Sequence, residues 1–283
     1  GHAIREYARQ SGDGWRPKIV QFVSPQVWAS RPGRARRLAR DYDLLLSIFP
    51  FEKNWYAERT PELNVEFVGH PMVGRFASDR RRVSGTLAEV TSLSRRPPRI
   101  VLLPGSRKSE LQRHLPVLLP ALALIRKEFP DAQVRMVLPD KDLAQLAEAL
   151  GADVKIQLGD LPGALAQADL AIASTGTVTM ECAWFGVPTV TLYRAPMLGM
   201  ARAAGIIKAK WFTMPNLLAN EELYPEFLAG AATSENLAGA AIGLLRDEGR
   251  RRRIKSQLEK VMTTLGGVGA PRRAAEAIRK LFR

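Results

Sequence analysis

Val101-Leu102-Leu103-Pro104-Gly105-Ser106-Arg107-Lys108-Ser109-Glu110 runs from an apolar stretch into glycine, a hydroxyl and a guanidinium, then into a helix. A buried strand that ends in such a turn belongs to an open α/β sheet, where ligands bind beyond the carboxyl ends of the strands. Gly105 lets the backbone approach a ligand closely. Ser106 can donate to a phosphate oxygen, and Arg107 offers a two-pronged cationic grip on a diphosphate. The plain alternative is an ordinary strand-to-helix turn with a surface arginine, since the segment is short and lacks P-loop spacing.

Outward from this turn, strand-like runs alternate with helix-length segments. Downstream, strands are expected at Ile100 to Leu103, Val134 to Leu138, Val154 to Leu158, Leu170 to Ala173 and Thr189 to Tyr193. Helices are expected over His114 to Phe129, Asp142 to Leu150, Glu235 to Leu245 and Arg251 to Leu265, with a last one from Pro271 after the Gly266 to Gly269 break. Near-continuous Val, Ile and Leu in the strands suits a parallel sheet buried on both faces. Upstream, Lys18 to Val23, Leu44 to Phe49 and Val65 to Val68 read as three more strands, with helices at Arg31 to Arg40 and Phe51 to Arg59. The fold class is therefore α/β, with two Rossmann-like units, the N-terminal one incomplete. The expected division is 1–73 as a partial N-terminal unit, 74–98 as linker, 99–265 as the larger unit, and 266–283 as a terminal helix. The chain opens on Gly1-His2-Ala3-Ile4-Arg5, already helical, so a preceding N-terminal part is expected to be missing.

A second turn reinforces the first. Ser174-Thr175-Gly176-Thr177 follows a strand of the same sheet and opens a helix that carries Glu181. Small hydroxylated residues at a helix N-terminus expose N–H groups and the positive end of the dipole. Glu181 could accept both hydroxyls of a ribose, or serve as a capping-box partner. A third stretch, Met214 to Glu222, holds Asn216 after a proline, where an N-cap is the simple alternative to a binding role. No D-x-D pair sits at a strand end. A metal clamp on a diphosphate is therefore not indicated, and Arg107 with the helix N-termini would carry that charge instead.

Composition narrows the rest. The 283 residues are 46% apolar and 25% charged, an ordinary globular balance. One cysteine, Cys182, excludes a disulfide framework and reads as a buried inert thiol. His2, His70 and His114 show no metal-ligand spacing. No signal peptide and no apolar run of membrane-spanning length is found, so a cytoplasmic site is expected. The net charge of +14 favours acidic partners: nucleotide diphosphates, anionic lipid surfaces or nucleic acid. Nucleic acid lacks support, because aromatic residues are not interleaved with the arginine clusters.

Together the blocks resemble the lipid-A-disaccharide synthases, glycosyltransferases of the two-Rossmann (GT-B) kind. The residues that carry the likeness are Val23 to Ala29, Pro50 to Lys53, Phe67 to Pro71, Leu103 to Arg107, Ser174 to Thr177 with Glu181-Cys182, and Pro215 to Ala219. The resemblance implies an inverting transfer of 2,3-diacylglucosamine from its UDP donor to 2,3-diacylglucosamine 1-phosphate. The products would be a β-1,6-linked disaccharide phosphate and UDP, made without a metal or other cofactor. It makes Arg107 and Asn216 the catalytic residues, with Gly105, Ser106, Arg107, Thr175, Gly176, Thr177, Glu181 and Asn216 binding UDP and substrate. It further implies a homodimer with exchanged C-terminal segments, attached peripherally to an anionic inner-membrane surface, with Gly266 to Gly269 as a hinge.

Two departures from the family follow. Its members carry a further stretch of roughly a hundred residues at the N-terminus, the size of a small domain. That stretch includes the first glycine-rich turn and an aspartate proposed as general base. Neither is expected here, and Asp13, Asp41 and Asp43 lie in no matching motif. Ser30 also replaces a common tryptophan, on the acceptor side. The other readings are a related epimerase of UDP-N-acetylglucosamine and a basic nucleic-acid-binding protein.

Overall fold

The computed structural model describes residues 1–12, 14–77, 96–194 and 210–282. They form two compact units, one of residues 1–12 and 14–77 with 263–282, the other of residues 96–194 with 210–262. Most of the expected linker, residues 78–95, lies outside the described residues.

The first unit is built on three parallel strands in the order β1-β2-β3: β1 (Val20–Phe22), β2 (Leu44–Ser47) and β3 (Val65–Phe67). Around them run α1 (His2–Gln10), α2 (Val27–Ser30), α3 (Ala35–Asp41), α4 (Pro50–Ala57) and α5 (Pro71–Arg75). The single helix expected over Arg31 to Arg40 is divided, because Pro32–Arg34 forms a tight 3₁₀ turn ahead of α3. The two-residue strand period sends β2 leucines to opposite faces. Leu45 packs with Val27, Ala35, Tyr56, Leu63 and Val65, while Leu44 and Leu46 pack with Val68 and Ala274. All three leucines are fully buried; each contributes about 2 kcal/mol by leaving water.

Ala274 belongs to the C-terminal helix Ala270–Lys280, which adds Ala277 and Ile278 to that second face. Its Arg273 fastens the preceding loop, donating to the carbonyls of Val68 at 2.8 Å, Val268 at 2.9 Å and Gly267 at 2.7 Å. Gly69, at φ +84°, leaves the room this needs, since a Cβ there would stand 2.7 Å from Arg273 Nη2. The terminal segment thus covers the N-terminal sheet of its own chain.

The second unit holds a six-stranded, all-parallel sheet in the order β6-β5-β4-β7-β8-β9. In chain order its elements are β4 (Arg99–Leu103), α6 (Lys108–Glu128), β5 (Gln133–Leu138), α7 (Lys141–Ala149), β6 (Lys155–Leu158), α8 (Leu161–Ala166), β7 (Leu170–Ser174), α9 (Thr177–Trp184), β8 (Thr189–Tyr193), α10 (Met214–Ala219), β9 (Glu226–Leu228), α11 (Ser234–Arg246) and α12 (Glu248–Thr264). Two elements differ from the sequence expectation. Helix α6 starts at Lys108 rather than His114, directly after the turn; its two prolines, Pro116 and Pro120, sit on the exposed face. There, solvent reaches the carbonyls that lose their helical donors. Strand β9 was not expected: three residues behind Pro225 are too short a run to signal, and only pairing with β8 defines them.

From β4 the chain winds outward through β5 to β6, then returns to lay β7 on the other side of β4. The reversal point is the β4–β7 junction, where open α/β sheets bind ligands.

Candidate functional site

At the end of β4 the structure places Gly105, Ser106 and Arg107 in one short turn closed by Glu110. The Glu110 carboxylate reaches back from the first turn of α6. Its Oε2 accepts the Ser106 N–H at 2.7 Å, and its Oε1 accepts from Arg107 Nη1 at 2.8 Å. Gly105, at φ +136°, lies under that carboxylate, and a Cβ there would be 2.5 Å from Glu110 Oε2. The Arg107 side chain is 76% exposed. An exposed pair of this kind contributes little by itself, so the guanidinium is oriented but remains open to an anion.

Beneath the turn lies His114, one of the three histidines that show no metal-ligand spacing in the sequence. It is 2% exposed. Its Nδ1 is 2.6 Å from the Pro104 carbonyl, and its Nε2 is 3.3 Å from the Arg194 backbone N–H. A carbonyl only accepts and an amide only donates, so Nδ1 carries the proton and Nε2 accepts. Burial lowers its pKa, against the Pro104 bond, and keeps the imidazole neutral. The strut joins the end of β4 to the residue just past β8. Only the topology brings these together, so no local motif signals them.

At the end of β7, beside β4, Thr175 donates its N–H to Leu192 at 3.0 Å. Gly176 follows at φ +146° with open space where a side chain would be. Thr179 fixes the start of α9 by donating from Oγ1 to the Gly176 carbonyl at 2.7 Å. Gly176 and Thr177 are exposed, so the N-terminus of α9 faces solvent beside the Arg107 turn. Gly176 is the N-cap and Thr179 occupies the third helical position. Glu181 is therefore too far along to close a capping box, and that alternative falls. It is half-buried within α9.

Asn216 stands apart from these groups in character. Its helix, α10, starts at Met214 with Thr213 as N-cap, so the N-cap alternative fails as well. The side chain is fully buried. Its Nδ2 donates to the Tyr224 carbonyl at 2.7 Å and to Glu226 Oε1 at 2.9 Å. Its Oδ1 accepts the N–H groups of Leu223 at 2.9 Å and Tyr224 at 2.8 Å. Every hydrogen-bonding position on the amide is filled from within the chain. Glu226 also accepts from Phe212 N–H, Thr213 N–H and Thr213 Oγ1, knitting the approach to α10 onto β9.

In the first unit, the carboxyl ends of the strands carry an aromatic group. The rings of Trp28 and Phe51 meet edge to face with centroids 5.0 Å apart, and Phe49 lies 5.5 Å from His70. Met72 N–H donates to His70 Nδ1 at 3.2 Å, and burial pushes the His70 pKa down to about 4. Glu52, fully buried, accepts from Trp28 Nε1 at 3.0 Å and from the Phe49 N–H at 3.2 Å. Burial raises its pKa against those bonds. Asp41 and Asp43 lie at the opposite, amino end of β2. Burial pushes both up, but hydrogen bonds outweigh it and hold both low. Asp43 accepts the Ile19 N–H and pairs with Arg5 at 2.7 Å, and Asp41 pairs with Arg40 and His2. Asp13 lies outside the described residues.

Elsewhere Cys182 is buried, and burial pushes its thiol up to about 12, as suits an inert residue. The Arg250 to Arg253 run is largely engaged inside the unit. Arg251 is buried and donates to the carbonyls of Leu244 and Leu245, Arg252 pairs with Glu248, and Arg253 pairs with Glu221. Among the described residues, no group of three His, Cys, Asp or Glu is placed to hold a metal, and no helix is long and apolar enough to cross a membrane.

This geometry has relatives. The chain superposes on MurG of Acinetobacter baumannii with a TM-score of 0.53 at 17% identity, over 98% of this chain and 69% of that one. A UDP-N-acetylglucosamine 2-epimerase from Neisseria meningitidis gives 0.52 at 11% identity, over 87% and 63%. At such identities these likenesses establish the two-Rossmann fold alone. Sequence goes further. Residues 4–281 match the family model for lipid-A-disaccharide synthetase. The lipid-A-disaccharide synthase of Solibacter usitatus is 35% identical over 269 residues, which cover 93% of this chain and 69% of that protein. That of Anaeromyxobacter sp. is 36% identical over 274 residues, covering 94% and 69%. The match takes in the Arg107 turn, the Gly176 turn and the Asn216 corner alike, and the chain belongs to the lipid-A-disaccharide synthetase family of glycosyltransferases.

Proposed function

We propose that the second unit binds UDP-2,3-diacylglucosamine, and that the sugar passes with inversion to the 6-hydroxyl of 2,3-diacylglucosamine 1-phosphate. The acceptor oxygen bonds to the anomeric carbon as the bond from that carbon to the diphosphate breaks; UDP leaves with the electron pair. The observation that carries this reading is the pairing of two anion-ready turns at the β4–β7 reversal, within a chain of this family. Arg107, Ser106 and the N-terminus of α9 at Gly176 and Thr177 would meet the diphosphate, with Gly105 giving the backbone its close approach. Thr175 and Glu181 would face the nucleoside, Glu181 accepting the ribose hydroxyls. Preorganised charge of this kind stabilises a leaving group without reorganisation, so the transfer would need no metal.

To Asn216 we assign a different role from the catalytic one that the resemblance implies. With its amide saturated, it would act as a positioning residue that holds α10 against β9. The hydroxyl proton needs a base within hydrogen-bond reach. Asp41 and Asp43 sit at the wrong end of their sheet, and Glu52 is sealed in the core, so that base would come from outside the described residues. The same reading extends to a homodimer on the cytoplasmic face of the inner membrane, supported by a net charge of +14 and by doubly acylated substrates.

The test is mass-spectrometric detection of the disaccharide phosphate from the two substrates, with and without EDTA. Donor binding is read in parallel by titrating UDP into the chain. UDP binding that is unaffected by Arg107→Ala would refute the donor-site assignment, and turnover abolished by EDTA would refute the metal-free one.

A further inference from the structure

We infer that Arg194 is a second cationic contact for the diphosphate, kept in register with the Arg107 turn by the buried His114 strut. The inference rests on the donor-site reading above and adds to it a residue and a coupling.

Three adjacent strands carry the argument. In the order β4-β7-β8, the residues just past their carboxyl ends are the Gly105–Arg107 turn, the Thr175–Thr177 turn and Arg194. The middle position presents N–H groups and the positive end of α9, and a guanidinium follows on either side. Among the described residues Arg194 has no carboxylate partner, unlike Arg96, which is held by Asp169 through two bonds of 2.7 Å. Arg194 is half-buried, and its charge is near enough to His114 to help lower that pKa, as does Arg113. Arg113 reaches Ser109 Oγ at 3.2 Å and leaves its Nε buried without a partner. The carboxylate of Glu110 also acts on His114, and it is already engaged by Arg107 and Ser106. The neighbourhood thus holds an excess of positive charge that a diphosphate would neutralise.

His114 explains how the two sides stay matched. A protonated Nδ1 on Pro104 and a bare Nε2 under Arg194 N–H fix the β4 and β8 ends across β7 at a set spacing. A buried neutral imidazole suits this, because it donates on one side and accepts on the other without adding charge below the anion. His114 touches neither ligand nor reacting atoms and is a positioning residue.

The experiment titrates UDP, and UMP as control, into the chain and its variants by calorimetry, with the melting temperature of each variant recorded first. Arg194→Ala should weaken UDP about tenfold or more, the scale of a lost charge-assisted hydrogen bond. UMP, which lacks the second phosphate, should lose much less. Arg194→Lys should recover part of the affinity, keeping charge without the fork. His114→Asn keeps a donor for Pro104 and loses the acceptor for Arg194. It should weaken UDP by a smaller factor, and its effect should shrink when combined with Arg194→Ala, as coupled residues require. If Arg107→Ala weakens UDP while Arg194→Ala does not, the inference is wrong and the donor site stands. If neither matters, the donor-site reading itself falls. Full additivity of His114→Asn with Arg194→Ala would overturn the strut.

Discussion

The turn after β4 and the corner between α10 and β9 both belong to the second unit, and both were expected to act on the substrate. The structure gives them opposite characters. Arg107 is mostly exposed, held by one carboxylate in a pair that water screens. Asn216 is fully buried, with donors and acceptors all answered by Leu223, Tyr224 and Glu226. A side chain that meets a ligand needs unused hydrogen-bonding capacity at a surface; one that positions others shows none. Saturation and burial, rather than residue type, separate the two roles proposed for Arg107 and Asn216.

The comparison breaks most visibly at Asn216. Asn216→Ala strands the Tyr224 N–H, the Tyr224 carbonyl and part of the Glu226 carboxylate in the interior, and leaves the Leu223 N–H with only its bond to the Glu221 carbonyl. Several unsatisfied buried groups together should lower stability by about 3–5 kcal/mol, in the range of the most damaging single substitutions. Urea unfolding of the variant, read by tryptophan fluorescence, gives the value. A loss under 1 kcal/mol, with UDP binding abolished, would restore Asn216 to direct contact.

Gly105→Ala tests the turn as a piece of backbone. A Cβ at φ +136° would meet Glu110 Oε2 at 2.5 Å and Glu110 Cβ at 2.6 Å. The second atom is fixed to the α6 backbone, so the helix start must shift and not merely a flexible carboxylate. Strain of this kind is worth about 1–3 kcal/mol, and the shift should also carry Arg107 out of place. The expected result is a lower urea midpoint together with weaker UDP binding. Unchanged affinity in the destabilised variant would mean that the turn does not form the anion site.

Arg107→Ala is the counterpart. Its stability change should stay within about 0.5 kcal/mol, as for most exposed positions. UDP affinity should fall about tenfold to a hundredfold, and the loss should lessen as salt is raised, since an exposed charge is screened. Side by side, Asn216→Ala and Arg107→Ala should move stability and affinity in crossed proportions. A pair that moved both quantities equally would erase the distinction.

The sequence made the β4 and β7 turns legible because each is local: an apolar run, then small or charged residues, then a helix. The same locality exposed the doubly buried strands, with Leu44 to Leu46 continuous in the first unit and Leu170 to Ala173 in the second. What stayed hidden depends on partners distant along the chain. Strand β9 is three residues that become a strand only beside β8. His114 gains its role from Arg194, eighty positions away and two strands over. Asn216 was noticed for its motif but not for its enclosure, since nothing local tells an exposed amide from one enclosed by Tyr224 and Glu226. The helix start at Lys108 was missed because Arg107 stands at the N-cap and makes no side-chain capping bond that would announce it.

The smallest effect concerns acid, and it sets the two units against each other. His70 in the first unit and His114 in the second are both held neutral by burial, with folded pKa values below the ordinary 6.5. Unfolding lets each take up a proton at the ordinary value, so neither affects stability above pH 6.5. As pH falls from 6.5 toward 4, the unfolded chain binds protons that the fold refuses, and stability declines. One such group contributes a slope of at most about 1.4 kcal/mol per pH unit. His70 should give a decline that runs down to about pH 4, its folded value. His70→Asn keeps an acceptor for the Met72 N–H without a titrating ring, so it should flatten part of the decline between pH 6.5 and 4 while leaving UDP affinity at neutral pH unchanged. His114→Asn should flatten another part and weaken UDP as well. Urea midpoints at half-unit steps of pH resolve the two contributions. If His70→Asn left the acid limb as steep as in the parent chain, the burial of His70 would not govern its titration, and the contrast between a histidine that only caps α5 and one that also braces a binding turn would lose its first half.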